Sequence, residues 1–173
     1  MSIVSKTKLF LTLTGYQITW LACIFGEIKL NLSFLGIFVA IIYLSTYLYF
    51  IDNRKRFVKI SLLISLPGYL FDTLIVHLSI YEFNTSLILG NIPVWMFFLW
   101  LSFSTLFDEI LKIFKNYKII GILLSGILGP MTYYIGKPIG IISIYNEPLF
   151  FIFMSSFWIF LMIYYLEFIL KKN

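Results

Sequence analysis

The sequence predicts an all-α polytopic membrane protein, with six transmembrane helices in one bundle that form a single domain over residues 1–173. Three observations lead to this class. Hydrophobic residues make up 61% of the chain and charged residues only 12%, against about 25% charged in an average soluble domain. Apolar runs long enough to cross a bilayer recur along the chain. The basic residues lie in short blocks between those runs.

The six spans are the stretches between charged residues. A spanning helix needs about 20 mostly apolar residues. The predicted spans are 9–26, 30–51, 60–81, 86–107, 119–136 and 148–166. The second contains no charge from Leu30 to Ile51. Pro93 is expected to set the start of the fourth helix, because proline suits the first helical turn.

The fifth span contains the pair Gly129-Pro130, which predicts a kink. Pro130 has no amide hydrogen, so the carbonyl of Gly126 lacks its usual helical partner. A second apolar run, 138–145, follows closely. The course of residues 137–147 is therefore left open.

Orientation follows from the Lys and Arg residues, which concentrate in cytoplasmic loops. With six spans, eleven of the 13 basic residues fall on one side: Lys6, Lys8, Arg54, Lys55, Arg56, Lys59, Lys112, Lys115, Lys118, Lys171 and Lys172. Only Lys29 and Lys137 fall on the other. Both termini are therefore predicted to be cytoplasmic.

Composition also limits the partners. Nucleic acid is not expected, because the positive charge is split into blocks that flank spans. Membrane lipids are the expected partners, and the blocks at 53–59 and 112–118 suit anionic lipids. A homo-oligomer or a membrane partner is also considered, since six spans without an internal repeat are few for a standalone carrier. The single cysteine, Cys23, excludes an intrachain disulfide.

Small residues that allow close helix approach mark the predicted contact faces. Three stripes at helical spacing do so: Gly15, Thr19, Cys23 and Gly26; Ser61, Ser65, Gly68, Asp72 and Ser79; Gly121, Ser125 and Gly129. Because Asp72 shares its stripe with small residues, its side chain is predicted to point into the bundle.

The third span carries Asp72 and His77 in its interior. An acid at the centre of a spanning helix costs about 2.5–3.5 kcal/mol on insertion scales, and such residues face a bundle interior or a wet cavity. Counting from Ile60 places Asp72 about 18 Å into the bilayer, in its outer half. Its candidate partners are Gln17, Tyr69, a tyrosine of the fifth span or Lys137. His77 lies about 140° further around the helix, so the two do not form a pair on one face.

The same depth argument brings other unusual residues to one level and predicts a polar, outward-facing ligand pocket there. Its candidate residues are Gln17, Trp20, Tyr69, Asp72, His77, Trp95, Trp100, Pro130, Tyr133 and Tyr134. Trp95, Tyr133 and Tyr134 could equally belong to an interfacial aromatic belt. Pro130 could serve packing alone.

The sequence predicts no metal site and no cofactor. A single histidine excludes a multi-histidine site, and a site from Asp72, His77 and Glu82 would have awkward geometry. No GxSxG, HExxH, Walker-type or dinucleotide-binding pattern is present. No catalytic residue can be assigned, and the balance is against an enzyme.

Four blocks of residues carry a resemblance to a known family. They are Tyr16-Gln17 with Trp20; Gly68-Tyr69 with Asp72; Pro93, Trp95-Met96 and Leu99-Trp100 with Phe103; and Gly129-Pro130 with Tyr133, Gly136 and Gly140. With these, the chain resembles domain-of-unknown-function family 2878, which comprises small polytopic bacterial inner-membrane proteins. The resemblance implies a bacterial inner-membrane location and supplies no activity. Lys137 stands where a small neutral residue is expected.

Three functions follow as hypotheses. The first is a protein that binds or moves a small or lipidic ligand through the pocket around Asp72. The second is an intramembrane lipid-modifying enzyme with Asp72 or His77 as acid or base. The third is a structural or assembly subunit in which Asp72 locks helix packing.

Overall fold

The structure, a computed structural model, describes residues 3–85 and 87–171, with side chains from residue 8 onward. The helices are α1 (Ile3–Ile28), α2 (Phe34–Phe50), α3 (Arg54–His77), α4 (Val94–Glu109), α5 (Lys118–Tyr134), the single turn α6 (Gly136–Ile139) and α7 (Glu147–Tyr164). A 3₁₀ turn at Leu111–Lys115 follows α4, and a π-helical segment at Tyr165–Ile169 continues α7. The predicted all-α class is confirmed.

Four stretches are long and apolar enough to cross a membrane: Lys8–Ile28, Arg54–His77, Lys118–Ile139 and Glu147–Ile169. Helix α2 is equally apolar but has 17 residues, and α4 has 16. These lengths and compositions are those of a membrane protein.

Residues 81–85 and 87–93 are not helical, which corrects the predicted spans 60–81 and 86–107. The extended pieces are β1 (Tyr81–Phe83), β2 (Ile88–Leu89) and β3 (Ile92–Pro93), and a fourth, β4 (Ile142–Ile144), lies between α6 and α7. Helix α3 stops at His77 because Ser79 adopts a left-handed conformation (φ 55°). The amide of Ile80 then donates to the carbonyl of Ile75 at 3.3 Å, as in a Schellman cap.

The strands form two short antiparallel pairs. Strand β1 pairs with β4, with Tyr81 opposite Ile144, and β2 pairs with β3. Strands β1 and β4 are far apart in sequence, so their pairing cannot be predicted from either segment alone. Their apolar residues look like the ends of transmembrane spans. The stretch 137–147, whose course the sequence left open, contains the last three residues of α6, a left-handed turn at Gly140 and β4.

The chain divides into two compact units. Unit 1 contains Met1–Tyr69 and Val94–Leu111, and unit 2 contains Leu70–Pro93 and Lys112–Asn173. The division falls inside α3, between Tyr69 and Leu70. The single domain over 1–173 stays a prediction.

In unit 1, α1 packs on α2 through the small residues of its predicted stripe. A Cβ added to Gly36 would lie 2.6 Å from the Cα of Cys23, so the two backbones are in direct contact. Gly15 lies under the ring of Tyr43 in the same way. The contact face predicted for α1 is thus confirmed.

In unit 2, α5 packs on α7. A Cβ on Gly129 would lie 2.2 Å from the ring of Trp158, and Ser125 Oγ donates to the Trp158 carbonyl at 3.1 Å. The rings of Phe71 and Phe157 stack with their centroids 4.0 Å apart, joining α3 to α7. The small-residue face predicted for the fifth span is therefore also confirmed.

We expect Gly36→Ala to lower the free energy of unfolding by about 1–3 kcal/mol. The added methyl group would meet backbone atoms of Cys23, which cannot rotate away as a side chain can. Unfolding in detergent measures the effect. Ser45→Ala, an exposed position on the same helix, is the matched control. Equal stability of both variants would contradict the close contact of α1 and α2.

Candidate functional site

The carboxylate of Asp72 is the centre of the candidate site. Asp72 lies on α3 in unit 2, and none of its surface is exposed. Tyr81 Oη donates a hydrogen bond to its Oδ1 at 2.8 Å, and Tyr133 Oη donates to its Oδ2 at 2.9 Å. Each carboxylate oxygen therefore accepts from a tyrosine.

Tyr81 is brought to Asp72 by the turn that ends α3. After Ser79 the chain enters β1, and the amide of Tyr145 donates to the Ile80 carbonyl at 3.0 Å beside the strand pair. The Tyr81 side chain is fully buried, with its ring edge-on to Phe150 at 5.8 Å. Burial first, and then the charge of Asp72, raise the pKa of Tyr81 well above its ordinary value. Its hydroxyl consequently stays protonated and donates.

Tyr133 reaches Asp72 from α5. Tyr133 follows the buried Pro130 by three residues, so the two lie on the same side of α5. Its ring also contacts that of Tyr81, with centroids 6.1 Å apart. A tyrosine of the fifth span was among the predicted partners of Asp72, and this contact is confirmed.

Tyr134, the neighbouring tyrosine, has different contacts. Its ring packs against Phe151 at 5.2 Å, and Lys137 Nζ lies 5.7 Å from the ring centroid. Lys137 also pairs with Glu147. The structure thus assigns the two candidate tyrosines of α5 to different surroundings, and Tyr133 is the one that donates to Asp72.

The two tyrosine bonds determine what the site can do chemically. A buried carboxylate is tolerated when hydrogen bonds replace the water it has lost. Hydrogen bonds to a charged group contribute about 1.5–3 kcal/mol each. A ligand that offers a donor or a cationic group could take the place of one hydroxyl at the same oxygen. Because Asp72 is fully buried, a ligand reaches it only if the groups that cover it move.

We expect Tyr133→Phe to lower the free energy of unfolding by about 1.5–3 kcal/mol, because one oxygen of a buried carboxylate loses a donor. Tyr134→Phe is the matched control, since it removes the same hydroxyl one residue away and leaves the ring contacts intact. Detergent unfolding of both variants measures the difference. Equal losses would contradict a specific role for the Tyr133 hydroxyl.

A family model covers most of the chain, including the residues around Asp72. It matches residues 9–164 and is described as a protein of unknown function, DUF2878. The chain belongs to the DUF2878 family. This confirms the resemblance found in the sequence. No curated protein and no solved structure matches the chain.

His77 is the last residue of α3 in this DUF2878 protein and is exposed. Its Nδ1 lies 3.5 Å from the side-chain Nδ2 of Asn91, at the limit of a hydrogen bond. Glu82 lies on β1 and accepts from Tyr145, which raises the pKa of Tyr145. Within the described residues, no group of three or more His, Cys, Asp or Glu side chains could hold a metal ion.

The remaining candidates belong to unit 1 of the DUF2878 chain. Trp95 and Trp100 are buried, Trp20 is half-buried and Gln17 is exposed. The Trp100 ring lies against Gly68, where an added Cβ would be 2.5 Å away.

Next to Gly68, the Tyr69 ring meets Phe97 edge-on at 5.6 Å. The structure therefore brings Tyr69 and Trp100 to a common contact between α3 and α4. The gathering of all ten candidates in one pocket stays a prediction.

Sequence reasoning missed Tyr81, which was placed at the end of the third span without a role. It also missed a buried acid in unit 1, Asp108, whose Oδ1 lies 3.1 Å from Arg56 Nη1. Tyr47 Oη donates to Asp108 Oδ2 at 3.0 Å. A signal was present, because the acidic pair 108–109 directly follows an apolar run and complements the basic block at 54–59.

The charges around Asp108 link several helix ends of unit 1. Lys8 Nζ lies 2.8 Å from Asp52 Oδ2 and 3.9 Å from Glu109 Oε1. The hydrogen bond from Lys8 lowers the pKa of Asp52. This cluster connects the second turn of α1 and the first turn of α3 to Asp52, just after α2, and to the last turn of α4.

Proposed function

We propose that this DUF2878 member is a six-span protein of the bacterial inner membrane that binds or moves a small or lipidic ligand. The ligand would enter a polar pocket around Asp72 that opens toward the outer side. The observation that carries the proposal is the fully buried Asp72 carboxylate, held by two tyrosine hydroxyls, on a helix apolar enough to cross a membrane.

The count of six spans adds α2 and α4 to the four longer stretches. At 1.5 Å per residue they extend about 26 Å and 24 Å, against a hydrocarbon core of about 30 Å. Local thinning of the bilayer accommodates such short spans at modest cost. With six spans, eleven of the 13 basic residues fall on the side of the two termini, which supports a cytoplasmic position for both.

The proposed pocket includes a kink in α5 at Gly129-Pro130. Both residues are buried, and proline removes one backbone hydrogen bond. In a membrane the freed carbonyl needs a neighbouring group or a water molecule. A kink here would allow the segment that carries Tyr133 to move away from Asp72 and admit the ligand.

The test is to identify what the protein carries. The full chain is purified from its native membrane in mild detergent, and bound molecules are extracted and identified by mass spectrometry. We expect one compound class to be enriched with the parent and with Asp52→Asn, and to be lost with Asp72→Asn. Asp52→Asn is the matched control because it makes the same change at an exposed position. Identical profiles for all three would refute the proposal.

A structural or assembly role is the second candidate, and one observation favours it. The two tyrosines come from β1 and α5, so their bonds to Asp72 on α3 tie three elements of unit 2 together. If Asp72→Asn lowers stability while bound compounds and phenotype are unchanged, this role replaces the first.

A lipid-modifying enzyme is the remaining alternative. Comparing the membrane lipids of a deletion strain with those of its parent tests it directly. A lipid species that appears or disappears, and is restored by the intact gene but not by Asp72→Asn, would favour chemistry over ligand binding. An unchanged set of lipid species would favour binding or transport.

A further inference from the structure

The exposed face at the start of α3 forms an open groove of about 470 Å³. Five residues of that helix line it: Arg54, Lys55, Val58, Lys59 and Leu62. All five side chains are exposed. The surface inside the groove is apolar, three of its five lining residues carry cationic ends, and no carboxylate lines it.

The carboxylates at this end of unit 1 are committed to other cations. Arg56, the one basic residue of the block that does not line the groove, forms an ion pair with Asp108. Lys8 pairs with Asp52 and Glu109. Among the described residues, Lys55 and Lys59 pair with no carboxylate. The basic block is thus divided between one inward ion pair and a cationic groove.

Arg54 is positioned at the groove by a hydrogen bond to a backbone carbonyl, which leaves its positive charge available to an anion. Its Nε donates to the carbonyl of Leu48 at 3.0 Å, and no described carboxylate pairs with its guanidinium. The first turn of α3 contains no acidic residue. Because the start of a helix carries partial positive charge, the cations at this position favour a nearby anion.

We propose that this groove binds an anionic phospholipid. Its phosphate would contact the three cationic side chains, while an acyl chain would lie along Val58 and Leu62. From Arg54 to Leu62 the helix rises about 12 Å, enough for a headgroup and the first methylene groups. Lys and Arg stems also cover apolar surface while their charged ends reach the headgroups.

The proposal rests on the membrane location proposed above and does not depend on the site around Asp72. The two can therefore fail separately, since the Asp72 variants leave the groove unchanged. The apolar strip favours a lipid over a free anion, because a soluble phosphate would gain nothing from Val58 or Leu62.

The experiment measures lipid binding to the full chain in detergent by native mass spectrometry, with dioleoyl-phosphatidylglycerol as the probe and dioleoyl-phosphatidylcholine as the neutral comparison. We expect Lys55→Gln with Lys59→Gln to weaken phosphatidylglycerol binding roughly tenfold or more, as expected for two basic residues at an anionic surface. Lys29→Gln with Lys137→Gln removes the same charge outside both basic blocks and should retain binding.

A second pair tests the apolar strip. Val58→Ala with Leu62→Ala should weaken binding of the lipid, and glycerol 3-phosphate should bind none of the proteins measurably. Binding should also weaken with added salt, because the contacts are exposed. Equal binding by the parent and Lys55→Gln with Lys59→Gln, equal losses in the control pair, or equal binding of the two lipids would overturn the proposal.

Each variant is first compared with the parent by thermal unfolding without added lipid. All the substituted side chains of the groove are exposed, so the unfolding temperatures should agree. If the double lysine variant does not fold, Lys59→Gln alone provides the test, with Lys29→Gln, at an exposed position outside both basic blocks, as its control. Undiminished phosphatidylglycerol binding by Lys59→Gln would then overturn the proposal.

Discussion

We expect Asp72→Ala to lower the free energy of unfolding by about 2–6 kcal/mol, because the buried hydroxyl of Tyr81 and the partly buried hydroxyl of Tyr133 lose this acceptor at about 1–3 kcal/mol each. Tyr81 and Tyr133 donate to different oxygens of the carboxylate, and alanine removes both oxygens. Unfolding of the purified protein in mixed detergent micelles, followed by tryptophan fluorescence, measures the loss.

Two further variants make this result specific. Asp72→Asn keeps one oxygen acceptor and should lie between the parent and Asp72→Ala. Asp52→Ala makes the same truncation at an exposed carboxylate and should change stability far less. A loss for Asp72→Ala no larger than that for Asp52→Ala would contradict the hydrogen-bonded site.

We expect Asp108→Asn to lower the free energy of unfolding by about 3–5 kcal/mol, the usual result of breaking a buried ion pair by removing one partner. The side chain of Asp108 is 5% exposed and that of Arg56 is 30% exposed, so the guanidinium is left partly buried and uncompensated. Tyr47 also loses a charged acceptor. The same detergent unfolding measures the change.

Glu109→Gln provides the matched control, because it neutralises the neighbouring carboxylate. Its contact with Lys8 is longer, at 3.9 Å, so its loss should be clearly smaller. Replacing both partners, with Arg56→Met and Asp108→Leu together, should recover much of the stability. No recovery in the double variant would indicate that Asp108 acts through contacts other than the ion pair.

The helical part of the fold was largely predictable. Apolar runs and charged blocks identified the regions of α1, α2, α3, α5 and α7. This was possible because a helix that crosses a bilayer needs a long apolar run, which is visible in the local sequence. The segment between α3 and α4 was not predictable in this way. Its apolar residues were assigned to the ends of the neighbouring spans, whereas in the structure β1 pairs with the distant β4 and β2 pairs with β3.

The candidate site was predicted in part. An acidic residue inside a transmembrane helix needs a polar partner. Asp72 and a tyrosine of the fifth span could therefore be named in advance. Tyr81 could not, because only the left-handed turn at Ser79 returns it toward α3. Asp108 was overlooked for a similar reason, since its partner Arg56 lies on another helix.

The sequence by itself therefore determined the class of the protein, the positions of its apolar helices and the need of Asp72 for a partner. These depend on composition and on spacing along one helix, which are local properties. Only the tertiary structure decided which tyrosines contact Asp72, which cation contacts Asp108 and that α3 ends at His77. Those outcomes depend on contacts between residues far apart in the chain, and hydrogen bonding of buried polar groups selects among them.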